Sequence, residues 1–75
     1  MNYGMFAIED YVAHKFIHIF SEDNTATAMR SFRAWCEKVG NAKDFRLWYC
    51  GTWNAYSGEL EGFAENELVI EGGSV

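Results

Sequence analysis

Apolar residues recur along this chain in two rhythms. Between Thr25 and Val39 the apolar positions Ala28, Phe32, Trp35, Cys36 and Val39 return at three- and four-residue steps, and Met29 widens the stripe. Arg30, Arg33, Glu37 and Lys38 lie largely off it. That period belongs to an amphipathic helix. Asn24 or Asp23 supplies its N-cap, since a short side-chain oxygen can accept the unpaired amides of a first turn. Gly40-Asn41 supplies its stop, with Lys38 near the negative end of the helix dipole.

Elsewhere the rhythm is that of strands. Residues 3–9 and 14–20 read as two strands joined by a polar connection, the pattern of a β-hairpin. The run 45–53 reads as the longest strand, and 54–58 as a tight turn with Gly58 where φ is positive. Residues 59–63 return as its partner, and 67–71 form a last short strand at an edge. The predicted order is ββαββ with room for a fifth strand: an α+β domain in which one antiparallel sheet carries a single helix on one face.

Strict alternation gives each strand two apolar faces. In the long strand, Phe45, Leu47, Tyr49 and Trp53 fall on one side, and Arg46, Trp48, Cys50 and Thr52 on the other. In the second strand, Phe16 and Phe20 oppose Ile17 and Ile19. One helix shields one side only, so the other is expected to meet a second subunit, a nucleic acid base or another apolar partner.

Composition narrows the classes. The chain has 75 residues, 49% of them hydrophobic and 17% aromatic. That is one domain of ordinary globular composition, short enough that its stability margin is thin without a staple or an oligomer. The absence of a long apolar stretch leads to the expectation of no membrane partner and a cytoplasmic protein. The net charge of −5 argues against a general binder of phosphate backbones. The distribution matters more. Five of the six basic residues (Arg30, Arg33, Lys38, Lys43, Arg46) stand between positions 30 and 46 against Glu37 and Asp44, a local +3, while the remainder sums to −8.

Catalytic motifs are missing: there is no nucleophile elbow and no glycine-rich phosphate loop, so the expectation is a protein that is not an enzyme and uses no cofactor. His14, His18, Cys36 and Cys50 hold the residue types of a zinc set but not its spacing, and two buried free thiols are the plainer reading. The remaining candidate is aromatic rings interleaved with cations, the chemistry by which single-stranded nucleic acids are held. Its residues are Arg30, Arg33, Lys43 and Arg46 for phosphates, and Trp48, Tyr49, Trp53 and Tyr56 for bases.

With those pieces laid out, the chain resembles the small non-structural protein of gokushovirus-type microviruses, the single-stranded DNA phages first described from Chlamydia. The likeness is carried by Phe6-Ala7-Ile8-Glu9-Asp10 and by Asn24 to Phe32 with Ala28-Met29-Arg30-Ser31-Phe32 inside it. It continues through Asp44-Phe45, Leu47-Trp48, Gly51, Trp53-Asn54 and Ser57-Gly58 to Leu60, and ends at Glu67-Leu68-Val69. Departures are Thr25 and Asn54 where the family has Asp, Ser57 where it has Thr, and the lack of a proline-rich segment before the last strand. The resemblance implies a non-capsid protein that binds the single-stranded viral genome, in replication or in the switch to single-strand production and packaging. It would act as a homodimer or higher oligomer. An interaction adaptor, docking onto a viral or host protein through an aromatic sheet face, is the alternative.

Overall fold

The computed structural model describes residues 2–74. Strands β1 (Asn2–Asp10) and β2 (Lys15–Glu22) form a hairpin, α1 (Thr25–Val39) follows, and β3 (Phe45–Asn54) and β4 (Leu60–Glu71) form a second hairpin. The strands make one antiparallel sheet in the order β2-β1-β3-β4, with β1 and β3 in the middle. The α+β architecture is the one expected. The two short runs 59–63 and 67–71 merge into the single strand β4, so the described residues form four strands and not five.

The helix ends follow from local chemistry. Asn24 Oδ1 accepts the Thr27 amide at 2.9 Å, and Thr27 Oγ1 accepts the Asn24 amide at 3.3 Å, so each side chain satisfies a backbone donor of the other. Gly40, at φ 74°, closes the last turn by donating its amide to the Cys36 carbonyl at 2.9 Å. The tight turn after β3 is organised by Asn54, whose Oδ1 accepts the amides of Tyr56 (2.9 Å) and Ser57 (3.1 Å). Gly58 sits there at φ 77°.

The core lies between α1 and one face of the sheet. Ala28, Phe32 and Cys36 of the helix are buried against Phe6 and Ile8 of β1 and Leu47 of β3. Phe6, Ile8, Phe32 and Leu47 are fully buried, each contributing about 1.5–3 kcal/mol of burial. Phe20, Met29, Trp35, Phe45, Tyr49, Val69 and Ile70 close the rim. Tyr49 stacks on Phe6 at 4.9 Å and takes Phe63 edge-on at 4.7 Å.

Four irregularities in register break the strict alternation read from sequence, the smallest being Val69, an extra residue of β4 because Leu47 opposes Ile70 and Trp48 opposes Leu68. On β1, Phe6 opposes Tyr49 while Met5 opposes Gly51, so Cys50 is an extra residue in β3. Side chains beyond it change sides. Trp53 therefore joins Trp48 on the face away from the helix, and Thr52 turns to the helix side; the expectation was the reverse for both. Likewise Ile8 opposes His18 while Glu9 opposes Phe16, which makes Ile17 the extra residue of β2 and carries Phe16 to the open face with Ile19. On β4, residues 63–66 span the place of the single Cys50, because Tyr49 opposes Glu67 and Gly51 opposes Gly62. Backbones crowd there: a Cβ on Gly51 would overlap the Glu61 carbonyl. His14, expected on the second strand beside His18, lies in the preceding turn at φ 59°.

Asn24→Ala should lower stability by ~1 kcal/mol in denaturant melts by orphaning the Thr27 amide, and Asp23→Ala should leave it almost unchanged. Gly51→Ala should cost ~1–3 kcal/mol, because the new methyl meets β4 backbone instead of a movable side chain.

Candidate nucleic-acid interface

Cross-strand partners share a face, so the register lays out the side of the sheet that α1 leaves open. Tyr3, Trp53 and Leu60 form its first row, Ser21, Met5, Gly51 and Gly62 the second. Ile19, Ala7, Trp48 and Leu68 form the third, and Phe16, Glu9, Arg46 and Glu71 the last. Ile19 (61%), Leu60 (64%), Phe16 (51%) and Leu68 (47%) are well exposed, which leaves this face apolar and wet.

The rings on it are held by specific contacts. Tyr3 and Trp53 stack at 6.0 Å and 29°. Trp48, half-buried, donates from Nε1 to Glu9 Oε1 at 2.9 Å, which fixes the indole in its row. Arg46 lies 4.3 Å over the Tyr11 ring, 3.9 Å from Glu9 and 3.8 Å from Glu71. Its Nε is buried without a hydrogen bond, since the Glu71 carboxylate is beyond hydrogen-bond reach. Cation and acids thus offset one another within the last row.

The residues predicted from sequence divide between the two sides. Arg46, Trp48 and Trp53 come together on the open face. Tyr49 turns to the helix side, into the Phe6–Phe63 stack. Arg30 and Arg33 are exposed on α1, so the sheet lies between them and the Trp48 row. Lys43 is exposed on the 3-10 turn Ala42–Asp44. Tyr56, 84% exposed, stands at the β3–β4 turn. Sequence reasoning missed Tyr3, Met5 and Leu60 as members of this surface. The signal for the first two was the parity of β1: once Phe6 and Ile8 are core, Tyr3, Met5 and Ala7 must face the other way.

The remaining candidate chemistry does not assemble. No group of three His, Cys, Asp or Glu side chains stands ready to hold a metal ion among the described residues. Cys36 is buried, but Cys50 is only half-buried, at the bulge, with its Sγ 3.8 Å from the Trp48 carbonyl. Burial pushes both thiols above their ordinary pKa. No helix among the described residues is long and apolar enough to cross a membrane.

With that surface in view, comparison with known families decides the lineage. A model of the phage ORF5 protein family matches residues 3–75, nearly the whole chain. The chain belongs to this family. It is a phage protein, and the match runs through both hairpins and the helix alike, so the open face is part of the family domain and not an appended segment. No curated protein and no solved structure matches it.

Since thiolates are the reactive form, a maleimide at pH 8 should alkylate both cysteines more slowly than a cysteine in an unfolded peptide. Cys36 should be the slower of the two and should react at full rate only in denaturant. The linked effect on stability has one sign. Both pKa values are raised by folding, so the unfolded chain ionises first and stability falls as pH climbs past the ordinary thiol value of 9.0.

Proposed function

We propose that this phage ORF5-family protein is a non-enzymatic binder of single-stranded DNA, acting in the host cytoplasm in viral replication or in the switch to single-strand production and packaging. The resemblance to the gokushovirus non-structural protein supplies the biological setting. The observation that carries the reading is the open sheet face, where Trp48 and the Tyr3–Trp53 pair stand half-exposed on rigid strands with no side chain of α1 over them. Rings so placed can stack on unpaired bases, and every base has a face to offer, so little sequence preference is expected. Tyr56 extends the ring set to the hairpin tip.

Cations enter differently from the sequence expectation. Arg46 is the one cation in the rows of the open face, and it is partly neutralised. Arg30, Arg33, Lys38 and Lys43 sit on the other side. Stacking therefore supplies most of the affinity and phosphate contacts little. Oligothymidylate should bind with a shallow salt dependence, log K falling by about 1 per decade of salt on the ~0.7-per-contact rule. Trp53→Ala should weaken binding by ~1–3 kcal/mol without changing that slope. Arg30→Ala and Arg33→Ala should change neither. If the helix arginines control both affinity and slope, the strand lies on the helix side and the open face serves something else.

A second reading has its own observation. Ile19 and Leu68 expose aliphatic surface that bases do not need, and it suits a protein partner. A second copy, or a viral or host protein docking there, makes the chain an adaptor. Sedimentation at micromolar concentration separates the cases: the self-associating form of this reading requires a dimer or larger species that Leu68→Glu dissociates. Binding to DNA that survives in that variant keeps the first reading.

A further inference from the structure

Beside the first two rows of the open face is an open-mouthed hollow of about 360 Å³, lined by Met5, Ser21, Trp53, Gly58 and Leu60. Its walls come from both hairpins, at one end of the sheet. Met5 and Ser21 are a cross-strand pair of the first hairpin, and Trp53, Gly58 and Leu60 belong to the end of the second. The glycine at its rim is held at φ 77° by the turn that Asn54 organises, so that part of the wall is backbone and stays low. Gly51 and Gly62, next to Met5 in the second row, add no side chain that would fill the space.

The chemistry of the lining is selective. One flat indole, one thioether and one isobutyl group supply apolar contact, and a single hydroxyl, Ser21, supplies one hydrogen bond. None of the described residues that line it is charged, so neither a phosphate nor a metal ion is favoured. Its volume is at the low end of ligand pockets, suited to a single ring system and not to a peptide segment. From this geometry we infer that the hollow seats one nucleobase of the bound strand, stacked against Trp53 with an edge toward Ser21 Oγ. The inference rests on the single-stranded DNA reading and adds to it a place where the strand must turn one base inward.

Methionine supplies a local reporter. Met5 lines the hollow, whereas Met29 packs at the core rim on the helix side of the sheet. With methyl-labelled methionine, titrating oligothymidylate should move the Met5 resonance upfield through the ring current of the seated base and leave Met29 in place. An abasic oligonucleotide of the same length should move neither. Ser21→Leu, at an exposed strand position, fills the hollow without removing a ring, and should cut affinity for oligothymidylate about tenfold, the loss of one stacked base. Its affinity for the abasic strand should equal that of the parent. If the parent binds oligothymidylate but Met5 does not move, or Ser21→Leu binds as well as the parent, the seat is wrong and the open-face reading stands. If the parent binds no single strand at low salt, both fall together.

Discussion

One helix can dry only one face of a four-stranded sheet, and the proposed binding surface depends on which side chains are left on the other. Phe6, Ile8, Leu47 and Phe32 take the dry side because α1 brings its Ala28–Phe32–Cys36 stripe down onto β1 and β3. The wet side is then set by register. A single extra residue, Cys50, decides that Trp53 stands with Trp48 and Tyr3 instead of against the helix. Without that bulge the two tryptophans would be divided by the sheet.

The bulge also shapes the second hairpin. Because β4 uses residues 63–66 where β3 uses one, the strand bends there, and its backbone crowds Gly51 too closely for any side chain. Bends of this kind re-aim side chains at the cost of ladder hydrogen bonds. Here the hairpin end is aimed so that Gly58 and Leu60 share a hollow with Met5 and Ser21. The same bend gives Tyr49 its second ring contact, Phe63, on the helix side. Core packing and the open surface are thus two results of one local irregularity.

Much of this was legible in the sequence, and the division between what was and what was not is physical. Helix, caps and turn were readable because their signals are local: Asn24 and Thr27 satisfy each other's amides within four residues, Gly40 and Gly58 take positive φ, and Asn54 folds its own turn. The face of each strand residue was readable only as far as the first bulge. An extra residue leaves no change in composition or hydropathy, since the runs around Ile17 and Cys50 place large apolar side chains on both faces of the strand. Gly51 was the nearest thing to a signal, yet a strand glycine marks a close approach of backbone without saying which neighbour approaches. Arg30 and Arg33 were grouped with Arg46 for a similar reason. Separations of sixteen and thirteen residues carry no information about which side of a sheet each reaches.

The resulting electrostatics constrain how any strand of DNA can lie. The open face holds the rings and, in its rows, one cation between two acids; the helix side holds Arg30, Arg33, Lys38 and Lys43. A strand that kept to the rings would release few counterions, and one that reached both sides would have to pass an edge of the sheet. The β4 edge carries Glu61, Glu65, Glu67 and Glu71, which repel phosphates. The β2 edge carries Lys15 and His18 against Glu22, a milder barrier, and Glu22 is already engaged by Ser31 of α1 at 2.6 Å. Edge charge also discourages sheet-to-sheet pairing between copies, an expected defence for a long exposed strand. On the proposed reading, charge would therefore direct a wrapping strand across β2, and it would direct a second copy to the apolar rows of the open face instead of the acidic edge.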